Sequence, residues 1–137
     1  MRTLHVGLRV SDLQRSLAFY QAAGCTVAGT AEGTAHGTLS MLQLPGGPFV
    51  AVELVHDPAQ GSAGPGAGVS HLVIQAESLD AALAGLAANG IAAEPPGLPG
   101  GAGGPRTSWI TGPDGYRTEL VQWPAGHADG MTKAGFA

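Results

Sequence analysis

The chain has 137 residues, 44% of them hydrophobic and only 12% charged, which is enough apolar sequence for one sizeable core and about half the usual charge. A net charge of −4 with one lysine and five arginines argues against a nucleic-acid surface, which needs a basic patch. No apolar run approaches the roughly 18 residues of a membrane span, no apolar leader follows Met1, and a lone cysteine, Cys25, excludes an internal disulfide or a cysteine-built zinc site. A cytoplasmic protein is expected.

In chain order, Leu4 to Val10 is a β-branched-rich stretch that alternates as a strand. Ser11-Asp12-Leu13-Gln14 fits a capping box and places a helix start at Ser11. Leu13, Leu17 and Tyr20 then form one apolar stripe, which Gly24 ends. Residues 28–38 carry the weakest pattern of this half. Pro45-Gly46-Gly47-Pro48 is a turn into a strand on which Val50, Val52 and Leu54 share one face and Glu53 takes the other. Residues 58–67, small and Gly-rich, form a flexible linker. His71 to Ala76 reads as a strand, and a helix follows Ser78 with a stripe of Leu79, Leu83 and Leu86 ending at Gly90. Residues 95–105 hold too many prolines and glycines for a strand and are expected as a mobile loop. Gly112-Pro113-Asp114-Gly115 turns into a last strand, where Glu119 stands between Arg117 and Val121.

These segments repeat. A shift of 66 residues lays Leu4-His5-Val6 on Ser70-His71-Leu72, Leu13 on Leu79, Leu17 on Leu83, Gly24 on Gly90, and Glu53-Leu54-Val55 on Glu119-Leu120-Val121. Two copies of one unit, 1–57 and 68–124, are expected, each running strand, helix, three strands, with 125–137 as a tail. The fold class is therefore α+β.

Alternation puts Leu4, Val6, Leu8 and Val10 toward the helix and His5 and Arg9 on the opposite face. His71, Glu53 and Glu119 likewise face away from their helices. Two imidazoles and two carboxylates at matched positions of a repeat are a donor set for a borderline divalent ion. His36, His56 and His127 have no repeat partner and are read as structural. Cys25 is read as a small buried residue, and Trp109 and Trp123 as packing or pocket-lining.

Leu4-His5 with Leu8-Arg9-Val10, Asp12-Leu13-Gln14-Arg15-Ser16 with Phe19-Tyr20, His71, and Gly112-Pro113-Asp114-Gly115-Tyr116 leading to Glu119-Leu120 together resemble the vicinal oxygen chelate superfamily. That superfamily includes glyoxalase I, methylmalonyl-CoA epimerase, extradiol dioxygenases, and fosfomycin and bleomycin resistance proteins. The resemblance implies paired βαβββ modules whose curved sheets form a metal cup, within a chain or across a homodimer.

His5, Glu53, His71 and Glu119 stand where glyoxalase I carries its metal ligands. The implied chemistry is a lyase reaction that isomerises a thiol–2-oxoaldehyde hemithioacetal to a 2-hydroxyacyl thioester. Glu119 would be the catalytic base, Glu53 would share that work, and Arg9 would anchor a small-molecule substrate. The implied cofactor is one divalent metal per site, Ni²⁺ or Co²⁺ ahead of Zn²⁺, Mn²⁺ or Fe²⁺. Where glutathione-using members carry Asn, Trp and Gly, this chain has His56-Asp57-Pro58, and the loop 100–105 lacks their basic residues, so the thiol stays open. An epimerase, an extradiol dioxygenase, or a module that sequesters a small toxic compound are the alternatives.

Overall fold

A computed structural model describes residues 1–127 and Met131; most of the expected tail, 128–130 and 132–137, lies outside the described residues. The elements are β1 (Val6–Arg9), α1 (Leu13–Ala22), β2 (Thr26–Thr34), β3 (Gly37–Gln43), β4 (Val50–His56), a 3-10 turn (Pro58–Gln60), β5 (Leu72–Gln75), α2 (Leu79–Ala88), β6 (Arg106–Thr111) and β7 (Arg117–Gln122). They build two sheets, β1-β4-β3-β2 and β5-β7-β6. The outer pairs β1–β4 and β5–β7 are parallel, and the remaining neighbours are antiparallel. Among the described residues no helix is long and apolar enough to cross a membrane.

The 66-residue spacing recurs in space. Both helices and both parallel ladders obey it, with Gly7 opposite Glu53 on β4 and Val73 opposite Glu119 on β7. Gly24 and Gly90 end their helices at φ +95° and +78°, a region that glycine enters without the clash a Cβ would bring.

Three expectations need correction. The cap of α1 is Asp12, whose Oδ1 accepts from the Arg15 amide at 3.0 Å. Ser11 instead bridges to the chain beyond β4, its Oγ accepting from the Ala63 amide at 2.6 Å. The second sheet is one strand short. Pro95, Pro96, Pro99 and Pro105 lack the amide a ladder needs, and only an isolated bridge, Gly97 to Thr107, stands where a strand matching β2 would run. Finally, Leu4 and Val6 are exposed, Leu4 at 68%. The helix stripe of Leu13 and Leu17 covers only Leu8 and Val10 of that face.

Each sheet packs its own helix into a core. Leu8, Val10, Tyr20, Leu42, Val52 and Leu54 form the first, and Leu79, Leu86, Ile110 and Leu120 the second. The halves join on the helix side. Phe19 of α1 packs against both cores, and the Asn89 amide donates to the Ala22 carbonyl at 3.0 Å. The β6–β7 turn reaches across: Asp114 accepts from the Ser11 amide at 3.2 Å and from Ser16 Oγ at 3.4 Å. Tyr116 is buried in the first core and donates to the Arg9 carbonyl at 2.9 Å. Burial pushes the Tyr20 hydroxyl up to about 12, helped by Cys25, Tyr116 and Asp114 nearby. Burial also raises the Cys25 thiol, which therefore stays protonated and inert, as expected of a small core residue. With the helices packed on one side, the opposite face carries partly exposed side chains, Glu53 on the first sheet and Glu119 and Trp109 on the second, although Thr107 and Val121 of the second are buried.

Candidate functional site

All four candidate ligands belong to the faces opposite the helices. On the second sheet, His71 immediately precedes β5 and Glu119 sits mid-β7, and His71 Nε2 lies 3.7 Å from Glu119 Oε2. That is beyond hydrogen-bond reach. It fits two donors of one ion, since ligands about 2.0–2.2 Å from a metal stand at most about 4.4 Å apart. The other imidazole nitrogen, Nδ1, is engaged by Ser70 Oγ at 2.8 Å. An outer hydrogen bond of this kind orients a ligating histidine and leaves Nε2 for the ion. Glu119 is 19% exposed, so its carboxylate is half sheltered yet open to a small molecule.

On the first sheet the register puts Glu53 opposite Gly7, with His5 two residues before Gly7 and thus on the same face. A Cβ at Gly7 would stand 3.4 Å from Glu53 Oε2, so the Glu53 carboxylate lies beside β1 at that residue. His5 lines an open pocket of about 360 Å³ with Arg2, Thr3, Leu4, Phe49 and Val50. Phe49 is 75% exposed, which leaves the mouth of that pocket apolar and uncovered.

The structure therefore sets the donors out as two half sets, His5 with Glu53 on one sheet and His71 with Glu119 on the other. Among the described residues, three or more His, Cys, Asp or Glu side chains are nowhere gathered around one point of a single chain. Two imidazoles and two carboxylates, one of each on either sheet, are a donor set that fits a divalent ion.

Arg9 follows Gly7 by two residues on the same face, and its Nη2 donates to the Gln60 carbonyl at 3.3 Å. That carbonyl belongs to the 3-10 turn, which Asp57 caps by accepting from the Ala59 amide at 3.0 Å. The His56-Asp57-Pro58 stretch thus builds the support of Arg9. His56 ends β4 and His36 lies in the β2–β3 turn, while His127 stacks on Trp123 with ring centroids 4.4 Å apart.

Sequence reasoning passed over the surroundings of Glu119. Trp109 is its register partner on β6. The Trp109 ring meets the edge of His71 at 4.9 Å and carries the Arg117 guanidinium 4.4 Å from its centroid. Arg117 in turn pairs with Glu94. Alternation alone placed Arg117 on Glu119's face. The Trp109 contact depends on the β6–β7 register and Glu94 on the fold of the loop, and no short-range pattern reveals either.

Comparison with known proteins locates this arrangement. The sequence profile of the glyoxalase/bleomycin resistance protein/dioxygenase superfamily matches residues 2–120. No curated protein matches the sequence significantly. Among solved structures, glyoxalase I from Zea mays is 27% identical with a TM-score of 0.74; the match covers 93% of this chain and 45% of that one. The present chain thus spans about half the length of the maize protein. The trypanothione-dependent glyoxalase I of Leishmania major is 26% identical, with a TM-score of 0.66 over 89% of this chain and 86% of that one. TnmS3, an antibiotic-binding protein from Streptomyces sp. CB03234, shares the fold at 22% identity and a TM-score of 0.68, over 90% of this chain and 98% of that one.

Proposed function

Because this chain belongs to the glyoxalase/bleomycin resistance protein/dioxygenase superfamily, whose members include metalloenzymes as well as resistance proteins, we propose that it is a divalent-metal-dependent, glyoxalase I-like lyase. The reaction isomerises the hemithioacetal of a thiol and a 2-oxoaldehyde to a 2-hydroxyacyl thioester. The observation that carries this reading is the pairing of His71 with Glu119 at 3.7 Å, with Ser70 holding the far imidazole nitrogen, in a register that His5 and Glu53 reproduce 66 residues earlier.

The protein works as a homodimer. His5 and Glu53 of one chain meet His71 and Glu119 of a second, and the edge strands β1 and β5 lie at the junction. Each is the outer strand of its sheet, with exposed Val6 and Val73, and such edges are covered in stable proteins. Ni²⁺ or Co²⁺ is the preferred ion. When bound, the ion supplies Lewis acidity to the substrate oxygens, where negative charge develops.

The chain's own residues do the rest. Glu119 removes the C1 proton and returns it to C2, while the C1 hydroxyl proton passes to the C2 oxygen, so substrate and product are isomers. Glu53 shares the proton work, and Arg9 holds the substrate from the first sheet with the donors that Gln60 leaves free. The reaction proceeds inside the cytoplasm on a small molecule.

Metal uptake tests the reading. Chelator-treated protein titrated with Ni²⁺ is expected to bind about one ion per chain, and His71→Ala to abolish that binding at unchanged secondary structure. Absence of uptake at micromolar Ni²⁺ by folded protein would remove the lyase and leave sequestration of a small molecule as the function. Oxygen consumption with a catechol and Fe²⁺ would instead point to a dioxygenase.

A further inference from the structure

The two half sets are alike in their ligands and unlike in their surroundings. Glu53 faces Met41 across the ladder and follows Ala51 by two residues. In the same places Glu119 has Trp109 and Arg117. One carboxylate is bordered by small or apolar side chains, the other by an indole that carries a cation. Extending the β5–β7 register by one step sets Arg117 opposite His71, and Arg117 and Glu119 are two residues apart on one face, about 6.7 Å.

The Arg117–Glu94 pair is built to exchange. Both side chains are substantially exposed, and exposed ion pairs contribute little to stability. The Glu94 backbone is fastened without the side chain, its amide donating to the Trp109 carbonyl at 2.8 Å and its carbonyl accepting from Ser108 Oγ at 2.6 Å. The Glu94 carboxylate can therefore leave while the loop stays in place. The Trp109 face meanwhile keeps the guanidinium oriented by cation–π attraction. Arg9, by contrast, is engaged by a neutral backbone carbonyl.

From this asymmetry we infer that Arg117, seated on Trp109, is the specificity-determining residue that recognises a carboxylate of the substrate, and that Glu94 occupies the position which that carboxylate takes. The substrate class is thus an acidic thiol adduct, with its carboxylate one strand step from the reacting carbon. This inference rests on the lyase reading for the name of the reacting centre but is tested without turnover.

The probes are 3-(methylthio)propionate and its neutral amide, titrated into metal-free Trp123→Phe protein, in which Trp109 is the remaining tryptophan and its fluorescence reports on its own face. The carboxylate is expected to bind at least about tenfold more tightly than the amide. Arg117→Gln should erase the difference, and Arg117→Lys, which keeps the charge without the fork, should retain part of it. Glu94→Gln should tighten the carboxylate about threefold or more by removing its competitor. Equal affinity for the two probes, discrimination that survives Arg117→Gln, or discrimination lost only in Arg9→Gln would overturn the inference. A purely structural role for the Trp109–Arg117–Glu94 cluster would shift the unfolding midpoint without altering that ratio. Metal uptake and thioester formation are read separately. Intact discrimination with no turnover sinks the lyase reading alone, and turnover without discrimination sinks this inference alone.

Discussion

Glu119→Gln is expected to lower kcat for thioester formation by about 10²–10⁴-fold, the usual contribution of a positioned general base, while the thermal midpoint stays close to that of the parent. The amide has the shape of the carboxylate, and Glu119 contributes no side-chain bond to the core: its neighbours Thr118 and Leu120 face inward and it does not. What disappears is the group that moves the proton. Glu53→Gln should cost less, because the proposed base role rests on Glu119, which stands 3.7 Å from His71, with Glu53 sharing the proton work from the first sheet. Steady-state kinetics on the Ni²⁺-loaded protein with methylglyoxal and a panel of thiols decide this. A fall of less than about threefold in Glu119→Gln would take the base role away from Glu119, since such a change is smaller than a lost general base produces.

Leu54→Ala is expected to destabilise the protein by about 2–5 kcal/mol, the range for emptying a fully buried leucine site. Leu54 has 0% exposure. It sits on β4 between Leu8 of β1 and Ser40 of β3, so the cavity is walled by backbone ladders that cannot collapse into it. Because Glu53 is the adjacent residue, the loss should also weaken Ni²⁺ binding beyond what unfolding explains. Urea unfolding measures the first effect and metal titration of the folded fraction the second. A cost below about 1 kcal/mol would mean that the site had relaxed, contrary to the rigidity expected of a strand flanked on both sides.

Much of this was legible in the sequence because it is local. The helices Leu13–Ala22 and Leu79–Ala88 follow from their leucine stripes and glycine stops, and the outward placement of Glu53 and Glu119 from strict alternation with buried neighbours. The shift of one residue at the α1 cap has a long-range cause. Ser11 and Asp12 are both competent caps, and the choice falls to Asp12 because Ser11 is drawn to Asp114 and Ala63, more than 50 residues away. The missing strand was legible in the prolines of 95–105. The disposition of the four candidate ligands was not. Periodicity says which face a side chain takes, but not which two faces meet. That is settled by Phe19, Asn89, Asp114 and Tyr116, which join the halves on the helix side. The Trp109–Arg117 platform was hidden for the same reason, since it exists only once β6 and β7 are in register.

The proposed sharing of the site between two chains has a direct test in subunit mixing. His5→Ala and His71→Ala homodimers each lack a ligand at both sites. A mixed dimer concentrates both defects in one site and leaves the other whole. Dissociating and reassociating the two variants at equal amounts is expected to restore thioester formation to about a quarter of the wild-type rate, because half of the dimers are mixed and half of their sites are intact. If the mixture stays as inactive as its components while gel filtration shows that chains have exchanged, the four ligands are not shared between two chains.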